Sequence, residues 1–140
     1  MNKENEIYVF DTSALFTYLE DEEGSDYIDN LLQMAEHGEI AIYISFISLT
    51  EVYYITLQEK NVTEASNRII LIQSLAASVV ESYETLNIKA GEMKSQYRIS
   101  LADSFIAALC NEYNGTLVHK DPEFEALSSL IKEYRLPYKN

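Results

Sequence analysis

The chain has 140 residues, 47% hydrophobic and 24% charged, the make-up of an ordinary water-soluble domain long enough to bury a proper core. Its 10 basic and 23 acidic residues give a net charge of -13, which counts against a non-specific nucleic-acid binder with a basic patch and favours a cation or a basic partner. A single cysteine, Cys110, excludes an internal disulfide, no apolar run can span a bilayer, and MNKENEIYVF lacks the apolar centre of a signal peptide, so one cytoplasmic domain over 1–140 is expected.

IYVF (7–10) reads as a buried strand ending at Asp11, and SALFTYLE begins a helix directly after it. The acidic EDEEGSD (20–26) lacks the spaced ligands and glycine of a calcium loop; it reads as a solvated turn or as the rim of a substrate groove. EGSDYIDNLLQMAEH gives a second helix, with Ile28, Leu31, Leu32 and Ala35 on one face and His37 near its end beside Gly38, a natural capping position. IAIYIS (40–45) is a second strand. The helix SLTEVYYITLQEK comes at once after it, with Tyr53 and Tyr54 expected in the core. VTEASNRIILIQSLAA is helical, SVVES a short strand, ETLNIKAGEMKSQYR a helix, and SLADSFIAALC a further helix. GTLVH is a strand, DPEFEAL opens a helix with Asp capping and Pro in its first turn, and the tail from Leu130 supplies a last strand. Strands alternating with helices specify a parallel sheet with right-handed crossovers, covered on both faces. In that arrangement the helix starts gather at the edge where the strands end, which is where ligands bind.

Asp103 raises the functional question. As a helix, its segment places Ile106, Ala107 and Cys110 on the same face as the carboxylate, with Leu101, Phe105, Ala108 and Leu109 around the rest. A carboxylate in so apolar a setting needs a partner. Glu51 repeats the pattern among Ile47, Tyr54 and Ile55, while Asp11 ends the first strand and Asp121 lies just beyond GTLVH. Topology assigns all four acids to one edge. Each has a bland explanation, because SLTE and SLAD match capping boxes headed by Ser48 and Ser100, and Asp11 and Asp121 can each cap the helix that begins after them. Together they do not: two unit charges 4 Å apart repel by roughly 4 kcal/mol at an effective dielectric of 20. A hard divalent cation removes that cost, since Mg²⁺ takes carboxylate oxygens and keeps waters for a substrate phosphate.

VFDTSAL, SFISLTEVYY, SLADSFIAALC and LVHKDPEF, read in that order, resemble the acid-bearing segments of the PIN-domain ribonucleases, most closely the small single-domain toxins of VapBC type. The resemblance implies a three-layer α/β/α sandwich with about five parallel strands, and Mg²⁺- or Mn²⁺-dependent hydrolysis of RNA. Asp11, Glu51, Asp103 and Asp121 match the acid positions, and Ser13 a polar position that helps to hold the first acid. One departure stands out: many members carry Thr or Ser two residues before the fourth acid, where this chain has His119, itself a candidate for an extra metal ligand. Lys94, Arg98 and Lys120, close to the acids in sequence, are candidates for holding flanking phosphates or are solvated surface cations. The resemblance further implies a homodimer and a small cognate antitoxin, for which apolar faces such as IILIQSLAA (69–77) are available. An inactive PIN-like binding module and a phospho-acceptor receiver domain are the alternatives, the latter disfavoured because VFDTSAL offers one acid where receivers want an adjacent pair.

Overall fold

The computed structural model describes residues 5–138; residues 1–4 and 139–140, the ends of the domain expected over 1–140, lie outside them. Five strands, β1 (Glu6–Phe10), β2 (Ile40–Ser45), β3 (Ser78–Val80), β4 (Thr116–His119) and β5 (Lys132–Arg135), form one sheet in the order β3-β2-β1-β4-β5. Every pairing is parallel. The helices are α1 (Thr12–Leu19), α2 (Ser25–Glu36), α3 (Phe46–Glu59), α4 (Val62–Ser74), α5 (Glu84–Gln96) and α6 (Leu101–Glu112). Among the described residues no helix is long and apolar enough to cross a membrane.

The two-residue period of the central strands sorts the core into two layers. Val9 and Leu117, opposite each other in the β1–β4 register, pack with Leu86, Met93, Ile106 and Leu109 of α5 and α6. Their neighbours Phe10 and Val118 pack instead with Leu15, Ile28, Val52 and Ile72 of α1, α2, α3 and α4. The result is the α/β/α sandwich that the alternation of elements specifies. The chain winds outward from β1 through β2 to β3, then returns to place β4 on the other side of β1. The crevice above the carboxyl ends of β1 and β4 is therefore the switch point of the sheet, the place where an open α/β fold binds ligands.

Four local expectations are corrected. Helix α3 begins at Phe46, with the last strand residue Ser45 as its N-cap through a 3.3 Å bond from Ile47 N, so Ser48 is not a cap and Glu51 is not in the first turn. DPEFEAL forms a 3₁₀ rather than an α-helix, over Pro122–Leu127. Helix α5 does not start at the strand-end edge: it lies antiparallel to α6, with Tyr83 beside Tyr113 and Lys89 reaching Glu112 at 2.9 Å. Tyr54 is 43% exposed rather than in the core. His37 is the C-cap of α2, and Gly38 comes next with a positive φ that suits glycine.

Candidate active site

Asp11 is the single residue between β1 and α1, and it is 2% exposed. Its amide donates to Val118 O of β4 at 3.2 Å, so the sheet itself fixes the backbone here. Its carboxylate caps α1, accepting from Ala14 N at 2.8 Å and from Ser13 Oγ at 2.7 and 2.8 Å. Ser13 does more than hold the acid. Its oxygen also accepts the Lys120 amide at 2.8 Å, which ties the turn after β1 to the turn after β4. Burial pushes the Asp11 carboxyl up to about 7, against the hydrogen bonds from Ser13 and Ala14 that favour its charge; the neighbouring charge of Asp121 adds to the rise.

Across the crevice, α6 brings Asp103, 8% exposed, into the same neighbourhood. The expected capping box forms only in half. Ser100 Oγ accepts from Asp103 N at 3.1 Å, but the Ser100 amide is taken by Glu123 Oε1 at 3.0 Å rather than by Asp103. The Asp103 side chain is left to meet other carboxylates. Asp103, Asp121 and Glu123 each offer an oxygen such that all three lie within 4.8 Å of one another. The Asp103 carboxyl is accordingly held well above the usual carboxylate range, first by burial, then by the hydrogen bond it shares with Glu123 and by the charges of Asp121, Glu123 and Asp11. Asp121 is the N-cap of the 3₁₀ helix, accepting from Glu123 N at 2.9 Å. Asp11 and Asp121 thus each serve as a cap and also lie near enough for their charges to act on Asp103. Each uses its carboxylate to cap while turning it to the crevice.

Glu51 is positioned by a residue that sequence reasoning missed. Thr12 Oγ1 donates to Glu51 Oε1 at 2.6 Å and sits 3.0 Å from Ser48 Oγ, joining α1 to the second turn of α3. Glu123 was likewise missed. Its signal was indirect: aspartate is too short to complete the SLAD box, so the Ser100 amide had to find a longer acid elsewhere.

The expected cations divide. Lys94 in the last turn of α5 and Arg98 just before α6 are both exposed. Lys120 is not: its side chain is 7% exposed and its Nζ pairs with Glu22 Oε1 at 3.3 Å. Glu20 and Glu22 of the acidic turn line a cleft of about 420 Å³ with Ser13, Phe16, Lys120 and Tyr138, so that turn is a rim and not merely solvated. His119 is wholly buried. Its Nδ1 accepts the Asp121 amide at 3.1 Å and burial lowers its pKa, against the pull of Glu133. Nδ1 is taken by the Asp121 amide and Nε2 faces Glu133 Oε2 at 3.5 Å, which leaves neither ring nitrogen open to a metal ion.

A divalent cation fits this donor set. No ion pair among the described residues involves Asp11, Asp103, Asp121 or Glu123. Asp103, Asp121 and Glu123 each offer an oxygen to one point, and such a hard oxygen set could bind a divalent metal ion.

Fold and site define a class, and the sequence confirms it. Residues 8–130 match the PIN domain model, and the chain belongs to the PIN-domain family. Solved structures with this fold include VapBC2 from Rickettsia felis bound to a DNA fragment of its promoter, 21% identical with a TM-score of 0.76 over 94% of this chain and 99% of that one. DNA-bound VapBC from Salmonella typhimurium is 18% identical with a TM-score of 0.74, covering 93% and 98%. VapC20 of Mycobacterium tuberculosis, a toxin that cleaves the sarcin-ricin loop, is 15% identical with a TM-score of 0.67, covering 90% and 97%. No curated protein matches the chain.

Proposed function

We propose that the protein is a metal-dependent endoribonuclease that hydrolyses RNA phosphodiester bonds, and that it is the toxin of a toxin–antitoxin pair. The observation that carries the reading is the cluster of Asp103, Asp121 and Glu123 oxygens at the switch point of a PIN-family sheet, with buried Asp11 near enough for its charge to act on Asp103. Asp11, Asp103 and Asp121 would hold Mg²⁺ or Mn²⁺, with Glu123 completing the set. When bound, such an ion lowers the pKa of an attacking water and neutralises the leaving oxygen. Glu51, held by Thr12, would orient that water or accept its proton. Ser13 keeps Asp11 turned into the crevice and holds the two strand-end turns together. Lys94 and Arg98 are free to meet flanking phosphates, whereas Lys120 is engaged by Glu22 and is withdrawn from that role.

The partners come from the same reasoning. The similarity to VapBC complexes supports a cognate antitoxin and a cytoplasmic setting. The exposed Tyr54, Ile70 and Leu71 on α3 and α4 offer apolar surface for it or for a second copy of the chain. The test is cleavage of a structured RNA by the purified protein. Cutting is expected with Mg²⁺ or Mn²⁺ and not in chelator, and Asp11→Asn should abolish it while leaving the circular dichroism spectrum unchanged. A wild-type protein that neither cuts nor binds either ion would be an inert PIN scaffold.

A further inference from the structure

One buried group touches the crevice only through a backbone amide. His119 is the last residue of β4 and is wholly buried, its ring packed edge-on against Phe124 at 5.2 Å. Nδ1 accepts the Asp121 amide at 3.1 Å, and a nitrogen that accepts an amide proton carries none of its own. The ring proton therefore sits on Nε2, which faces Glu133 Oε2 of β5 at 3.5 Å. That contact is too long for a good hydrogen bond, and neither atom has another partner among the described residues. Glu133 is itself held on its other oxygen by Arg135, which also reaches Glu125 at 3.3 Å. A line of polar groups thus runs inward from the edge strand and ends on the amide of Asp121.

Two successive backbone amides of the turn after β4 are pinned by side chains. Lys120 N goes to Ser13 Oγ at 2.8 Å, and Asp121 N goes to His119 Nδ1. Pinning both fixes the peptide plane between them, and with it the direction in which Asp121 leaves the backbone. Without an acceptor at position 119 a part-buried N–H loses its partner within the fold. The turn would rotate to recover a bond, carrying the carboxylate with it.

We propose that His119 is a positioning residue for Asp121, acting through the hydrogen bond from the Asp121 amide to its Nδ1, with Glu133 steadying the ring from behind. This rests on the reading of Asp121 as a metal ligand. A ring that merely fills space between β4, the 3₁₀ helix and β5 predicts something different.

Leucine and asparagine at position 119 have nearly the same shape and differ in the acceptor. Asparagine Oδ1 can take the amide two residues on, as an Asx-turn, and leucine cannot. Calorimetric titration with Mn²⁺ alone should show His119→Leu about 10–100-fold weaker than wild type, the span of outer-shell substitutions at metal sites. His119→Asn should stay within a factor of about three of wild type, below that span. Equal affinities for the two variants overturn the proposal, as does a folded His119→Leu that binds like wild type. If His119→Leu fails to fold, the ¹⁵N spectrum of the wild-type ring decides. A bare Nδ1 with the proton on Nε2 supports the proposal, and the opposite tautomer sinks it. A wild type that binds no Mn²⁺ overturns the metal reading and this inference with it, whereas binding by wild type with indistinguishable variants overturns this inference alone.

Discussion

Asp11 and Asp103 are both nearly sealed from solvent, at 2% and 8% exposure, and they are held in opposite ways. Asp11 receives donors: Ser13 Oγ and Ala14 N point at its carboxylate, and β4 fixes its backbone. Asp103 receives acids, its side chain facing Asp121 and Glu123 with no cation paired to it among the described residues. One carboxylate is oriented in advance whatever else binds. The other sits in a position that is comfortable only with a proton or a positive ion beside it. A site made of both kinds is rigid on one wall and unsatisfied on the other, and the unsatisfied wall is the one that could draw a cation.

The largest effect should come from relieving that wall. Asp103→Asn is expected to lower Mg²⁺-dependent RNA cleavage by more than about a hundredfold, beyond the range of outer-shell changes. Above about pH 9, where the Asp103 carboxyl has lost its proton, the same substitution should raise the thermal midpoint of the metal-free protein, because an amide can still donate to Glu123 where a carboxylate repels it. A metal-free variant that melts lower than wild type would show that Asp103 is not strained, and the contrast with Asp11 would fail.

The next effect concerns pH. The folded Asp11 carboxyl is raised to about 7 from 3.8, so between those values the folded chain holds a proton that the unfolded chain has lost. The stability this provides is fully present below the unfolded value and disappears as pH rises through the folded one. Asp103, also raised, acts in the same direction. At about 1.4 kcal/mol per unit, Asp11 carries at most about 4 kcal/mol. Urea unfolding of the metal-free protein should therefore show stability falling between pH 5 and pH 8. Asp11→Asn should flatten that slope, and Mn²⁺ should reverse it. A metal-free stability that rises over this window would overturn the assignment.

The smallest effect sharpens the rigid wall. Ser13→Ala removes the donor to Asp11 and leaves the Lys120 amide without its acceptor, at a cost of about 1–3 kcal/mol in unfolding free energy. A change under a few tenths of a kcal/mol would mean that the turn finds water instead.

The sheet, its parallel sense and the positions of Asp11 and Asp121 were legible because each depends on a local pattern, an apolar run stopped by an acid at a helix start. Asp103 was legible as a contradiction, a charge in a helix apolar nearly all round. The start of α3 was misread because SLTE imitates a capping box, while the true cap, Ser45, is hidden inside the strand. That error concealed Thr12, whose grip on Glu51 requires α1 and the second turn of α3 to lie side by side. Glu123 left only an indirect trace, the short acid of SLAD, for a different reason. Its bond to the Ser100 amide joins residues far apart in sequence, and no period or motif announces such a meeting. The acidic turn and Lys120 were each read alone, so their pairing was not foreseen.

The chain path also limits how such a protein can vary. At the edge that carries the acids, β1 passes to α1 through Asp11 alone and β2 enters α3 with nothing between. There is no slack in either connection, so an inserted residue would swing Asp11 or Glu51 out of register with the sheet. On the opposite edge, α2 reaches β2 through residues 37–39 and α6 reaches β4 through 113–115, turns eased by the left-handed Gly38 and Asn114. Length changes in descendants of this chain have that side open to them, while the acidic side must keep its spacing residue for residue.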